Sequence, residues 1–103
     1  MNATGWEAYT SPGRTQADKL ATYLYEAAEN ILKGKKIRKD LSKNGPGKEA
    51  NLYVLKKTIC PAVLTENFFQ DNKDDVDFLT SEEGFNKIVK LHFDGILNFI
   101  KNG

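Results

Sequence analysis

Glu66 stands where a ligand site belongs. It closes Pro61-Ala62-Val63-Leu64-Thr65-Glu66, a stretch apolar apart from Thr65, and Asn67-Phe68-Phe69 follow it. Such a run reads as a strand covered on both faces, and the carboxyl end of a strand of this kind is where open α/β sheets place their ligand crevice. A carboxylate at that place marks a site without naming its chemistry. Its structural alternative is an acid that caps a nearby helix or pairs with a lysine. Cys60 and His92 supply the residue types of a thiol nucleophile and its base, but Cys60 precedes Pro61 at the opposite end of the strand from Glu66 and reads as a small buried thiol. His92 has no second histidine at i, i+4, and catalytic zinc takes three protein ligands, so it reads as a packing residue. Asp74 and Asp75 read as solvated charge or as partners of a helix N-terminus. Trp6, Tyr9 and Phe69 are types that stack on sugars, yet aromatic residues at strand positions are usually core.

The elements that would position Glu66 follow from periodicity. Trp6 to Thr10 is a short β-prone segment stopped by Ser11-Pro12-Gly13. Thr15 with Asp18 resembles a capping box, and Leu20, Tyr23, Leu24, Ala27, Ala28, Ile31 and Leu32 then recur at helical steps, with Gly34 as the stop. Between Lys35 and Lys48 the apolar pattern lapses around Asn44-Gly45-Pro46-Gly47, which predicts an exposed loop. Asn51 to Leu55 reads as an interior strand. The connection from Lys56 to Pro61 is too short for a parallel crossover, so these two strands, if neighbours, run antiparallel. Asp74 to Leu79 fits one helical turn, and Thr80 with Glu83 suggests a second capping box. A last helix then presents Phe85, Ile88, Val89, Phe93, Ile96, Leu97 and Ile100 as a broad face suited to lying on a sheet. The fold class expected is α/β: a partial three-layer α-β-α arrangement with a mixed sheet, two main helices and about three strands.

Global numbers bound the function. A chain of 103 residues accommodates one domain. Fifteen Lys plus Arg against fourteen Asp plus Glu leave a net charge of +1, so no global field points to nucleic acid, and the lysines between Lys35 and Lys48, with no aromatic residue among them, read as a solvated loop. The single cysteine excludes an intrachain disulfide. Met1 to Trp6 has neither the charged nor the apolar region of a signal peptide, and no apolar stretch is long enough to cross a membrane.

Leu52-Tyr53-Val54-Leu55, then Pro61-Ala62-Val63-Leu64-Thr65-Glu66, then Phe69 and Asn72 carry a resemblance, in spacing as well as in letters, to the C-terminal half of the zinc-dependent N-acetylmuramoyl-L-alanine amidases, the type 3 peptidoglycan hydrolases. Ala3-Thr4-Gly5-Trp6-Glu7 resembles the family strand after its second zinc histidine, Ala17-Asp18-Lys19-Leu20-Ala21 the next helix, Ile37-Arg38-Lys39 its arginine-containing loop, and Asp74 to Phe85 its closing turn and helix. The resemblance implies that residues 1–103 form the C-terminal portion of an amidase-like catalytic domain, a hydrolase of the amide between muramic acid and L-alanine. Glu66, partly desolvated at the end of its strand, would be its general base and then acid, and zinc would activate water and polarise the carbonyl. It also implies a cell-envelope or phage-lytic setting, with the peptidoglycan stem peptide as partner. The family's zinc ligands, two histidines and a glutamate, resemble nothing in this chain. No metal ligand is therefore assigned, no zinc is expected on this chain alone, and the isolated chain is expected to be inactive. The other reading is a non-catalytic module that binds cell-wall peptide or a partner. Half of an α/β sheet exposes an edge, which predicts self-association through it.

Overall fold

The computed structural model describes residues 4–10, 16–39, 48–49 and 61–102. The first strand, β1, is Trp6–Thr10, and helix α1 is Gln16–Ile31. They are followed by the short strand β2, Lys48–Glu49, and by strand β3, Leu64–Asn67. Helices α2, Lys73–Thr80, and α3, Glu82–Asn102, complete the order. The sheet order is β2-β1-β3, with β2 parallel and β3 antiparallel to β1, which is the mixed sheet expected. The expected strand Asn51–Leu55, together with Cys60, Ser11-Pro12-Gly13 and Thr15, lies outside the described residues. Among the described residues the helices lie against one face of the sheet, giving the sheet and one helical layer of the α-β-α arrangement.

Strand alternation builds the core. Trp6, Ala8 and Thr10 point to the helical face and are fully buried. Trp6 meets Tyr25 of α1 edge-on, ring centroids 4.9 Å apart. Leu24, Ala28, Leu32, Phe68 and Leu91 close the cluster. Tyr25, which the helical spacing did not include, is the buried aromatic residue of α1, while Tyr23 of that pattern is half-buried. Gly34 follows the helix at φ +88, where a residue without Cβ turns the chain at no steric cost.

Three expectations shift. The strand at Glu66 begins at Leu64, and its residues alternate between exposed and half-buried; it is not covered on both faces, because the described helices cover only one. The junction before α3 is capped by Ser81, not Thr80: its Oγ donates to Phe78 O at 2.7 Å and accepts from Gly84 N at 2.9 Å, while Thr80 bonds back to Val76 O within α2. Helix α3 does not lay its broad apolar face on the sheet. It packs on α1 and the core through Leu91, Gly95 and Ile88, and leaves Phe85, Val89, Phe93, Ile96, Leu97 and Ile100 exposed.

The α1–α3 crossing depends on Gly95, where an added Cβ would lie 2.7 Å from Leu24 Cδ2 and 2.9 Å from Leu24 Cα. Gly95→Ala forces the helices apart and is expected to lower stability by about 1–3 kcal/mol, read as a lower urea midpoint at unchanged slope.

Candidate functional site

The face of the sheet opposite the helices holds the candidate residues. Glu7 and Tyr9 of β1 alternate onto it, and the register sets Glu7 directly across from Glu66 and Tyr9 across from Leu64. Two carboxylates directly opposed on neighbouring strands repel each other. Here the inner one is compensated: Glu7, only 4% exposed, accepts from Lys48 Nζ at 2.8 Å and Arg38 Nε at 3.3 Å. Burial pushes the Glu7 carboxyl up. The hydrogen bond and charge of Lys48, with further bonds from Tyr9 and Arg38, outweigh burial and hold it below its ordinary range. Tyr9 moves the other way, raised by burial and by the charges of Glu7 and Glu66.

The chain brings the two cations in by local structure. Residues 36–38 run beside the start of β1, with Trp6 N donating to Lys36 O at 2.9 Å and Arg38 N to Trp6 O at 2.8 Å. The Arg38 guanidinium therefore lies over Glu7, and it also lies 5.4 Å from the Phe69 ring centroid. Lys48 arrives on β2, whose register places it against Tyr9. From the opposite face, the Tyr25 hydroxyl accepts from Ala8 N at 2.9 Å and donates to Arg38 O at 2.7 Å, tying α1, β1 and the arginine segment together. Burial raises the Tyr25 hydroxyl to about 12, so it remains a donor throughout the physiological range.

Glu66 lies exposed on this face and is not the partly desolvated carboxylate expected. After Asn67 the chain leaves β3 through Phe68, whose φ of +72 is rare for a bulky residue. Two contacts hold that turn. Phe68 is buried edge-on against Phe78, centroids 5.3 Å apart. Asp75 accepts from Phe69 N at 3.0 Å and from Thr4 Oγ1 at 2.5 Å. Asp75 is thus a buried anchor, not solvated charge, while Asn72 caps α2 by accepting from Asp75 N. Strain beside an exposed carboxylate is a mark of functional sites.

Sequence reasoning singled out Glu66 and, through the resemblance, Arg38; it read Tyr9 as a stacking type or core and Lys48 as part of a solvated loop, and it gave Glu7 no role of its own. The available signal was the alternation in Trp6-Glu7-Ala8-Tyr9-Thr10, which sets Glu7 and Tyr9 on one face. The family's zinc does not fit the described residues, among which no group of three His, Cys, Asp or Glu side chains is placed to hold a metal. His92 engages both ring nitrogens elsewhere, with Ile88 O and Thr65 Oγ1. Trp6 is core, and Phe69 lies beneath Arg38.

Comparison with known proteins fits this arrangement. The family model described as N-acetylmuramoyl-L-alanine amidase matches residues 1–98. The amidase CwlM of Bacillus licheniformis is 39% identical over 108 residues, covering 99% of this chain and 40% of that protein. The endolysin of Bacillus phage SPP1 is 41% identical over 66 residues, covering 64% of this chain and 24% of that protein. Among solved structures, the N-acetylmuramoyl-L-alanine amidase of Clostridium difficile 630 superposes at a TM-score of 0.84 with 23% identity, over 99% of this chain and 52% of its own. The Clostridioides difficile CwlD amidase, solved in complex with the GerS lipoprotein, superposes at 0.80 with 22% identity, over 98% and 48%. The sheet and helices are those of an amidase fold, and the chain belongs to the N-acetylmuramoyl-L-alanine amidase family. It spans about half the length of these solved structures and 40% of the Bacillus licheniformis relative. No helix among the described residues is long and apolar enough to cross a membrane.

Two outcomes test the site's framework. Tyr25→Phe leaves Ala8 N–H buried without its acceptor and is expected to cost about 1–3 kcal/mol in chemical denaturation. Because Glu7's carboxyl is lowered on folding from its ordinary 4.5, its contribution is complete above that pH and is lost as pH falls through the lower folded value. Glu7→Gln is therefore expected to flatten the acid side of the stability–pH curve, measured as urea midpoints between neutral pH and pH about 3.

Proposed function

We propose that this chain is the C-terminal portion of an amidase catalytic domain, and that Glu66 is its acid–base residue. The substrate is the amide joining the muramic acid lactyl group to L-alanine of the peptidoglycan stem peptide, and the setting is the cell envelope or a phage lytic enzyme. The observation that supports this reading is Glu66 itself, which lies near the end of β3 on the open face of the sheet, opposite an ionised Glu7 and two residues before the positive-φ turn at Phe68. In the reaction, the Glu66 carboxylate takes a proton from the attacking water as its oxygen bonds to the carbonyl carbon. It then returns that proton to the nitrogen of L-alanine as the C–N bond breaks. Zinc is expected for the family. The described residues do not fit it, so the steps assigned here are those of Glu66 alone, and the metal's ligands are assigned to the part of the domain that this chain does not resemble.

The test is release of L-alanyl peptide from purified muropeptide, by the chain alone and mixed with the N-terminal half of a related amidase. No release is expected from the chain alone, and release is expected from the mixture. Glu66→Gln is expected to reduce that release by about 10² to 10⁴-fold, and an unchanged rate would overturn the assignment.

A second reading, a non-catalytic module that binds cell-wall peptide or a partner chain through the sheet edge, is favoured by one observation. Among the described residues, β3 pairs on one side only, with β1. On that reading light scattering shows self-association that rises with concentration, whereas a clean monomer at high concentration counts against it.

A further inference from the structure

Four side chains form a continuous hydrogen-bonded line on the face of the sheet opposite Glu66. Trp6 Nε1 donates to Asn67 Oδ1 at 2.8 Å, and Asn67 Nδ2 donates to Thr65 Oγ1 at 3.3 Å. Thr65 Oγ1 lies 3.1 Å from His92 Nε2, and His92 Nδ1 lies 2.7 Å from Ile88 O. The last contact sets the direction of the whole line. A carbonyl oxygen only accepts, so Nδ1 carries the proton; in the neutral ring Nε2 is then the acceptor, and the Thr65 hydroxyl donates to it. Every donor in the line meets an acceptor.

Thr65 and Asn67 are the residues on either side of Glu66. Strand alternation points both toward the helices while Glu66 points away. A helix-facing position on a strand ordinarily carries an apolar side chain; here both flanking positions are polar, and both are hydrogen-bonded. One end of the line is Trp6, buried in the core. The other is a ring on α3, a helix fixed by buried Leu91 and by the close approach of Gly95 to Leu24. Strand β3 is only four residues long, and the chain turns at positive φ directly after it.

We propose that His92, acting through Thr65, is a positioning residue for Glu66: it fixes the short strand from behind so that the carboxylate is presented at a constant place on the open face. This rests on the reading of Glu66 as the acid–base residue. His92 reaches no substrate on this geometry, and its effect is carried by the backbone of Thr65 to Asn67.

The experiment is NMR on the full chain. The ring ¹⁵N shifts of His92 are expected to report the Nδ1–H tautomer in its neutral form. Thr65→Val and His92→Leu are each expected to raise amide exchange at Thr65 to Asn67 about tenfold, with α1 amides changed less than about twofold and Glu66 more mobile, whereas Thr65→Ser is expected to stay near the starting values. A stability effect alone would move α1 and β3 together and would not be rescued by serine. An Nε2–H tautomer, or Glu66 equally ordered in Thr65→Val, would overturn the proposal. Muropeptide assays of the mixed halves separate the two readings: no release by the unsubstituted protein, alongside the expected exchange changes, removes the acid–base role of Glu66 but not its tie to His92.

Discussion

The register between β1 and β3 is the constraint on which the rest of the structure depends. Glu7 opposes Glu66 because Trp6 opposes Asn67. A slip of one residue would turn every side chain of β3 to the other face, sending Glu66 into the helices and Thr65 and Asn67 out to the open side. Trp6 guards against that slip on two levels, through its bulk in the core against Tyr25 and through its indole N–H on Asn67. One residue thus contributes both to burial and to the alignment of the site.

The two faces of β1 divide the labour. On the helical face, small and aromatic side chains interlock and leave little room for change. On the open face, Glu7 is buried by two cations rather than by apolar packing, which keeps its charge and gives Arg38 and Lys48 a fixed origin. Tyr25 connects the faces, because its hydroxyl bonds both to Ala8 of β1 and to the carbonyl of Arg38, whose side chain lies over Glu7. The framework of the site is therefore anchored in the core, although Glu66 itself is exposed.

Much of this was legible in the sequence where one periodicity dominated. The bounds of β1, the run of α1 and its stop at Gly34 follow from alternation, three-and-four spacing and turn chemistry. Asp75 sits in the first turn of α2, one of its two readings, but its burial was not legible because its acidic neighbours look like solvated charge; only the fold brings Thr4 and Phe69 N to it. The apolar residues of α3 were misassigned for a similar reason. Periodicity identifies a stripe but not the surface that meets it: of the stripe only Ile88 packs against the core, and the rest of the contact is made by Leu91 and Gly95, one of which has no side chain to register in such a pattern. The Glu7 cluster went unread because its cations come from residues about thirty and forty positions away in sequence, a distance that local patterns do not span.

The exposed side of α3 has a consequence for how the chain behaves in solution. Phe85, Val89, Phe93, Ile96 and Ile100 are each 45% exposed or more, and they recur at helical spacing along one helix of a chain whose net charge is +1. Little long-range repulsion separates two such molecules, and salt screens what there is. The chain therefore has the physical character of an amphiphile: its solubility is expected to decline as ionic strength rises, and dyes that seek apolar surface are expected to bind its native state, which would make their fluorescence a poor measure of unfolding.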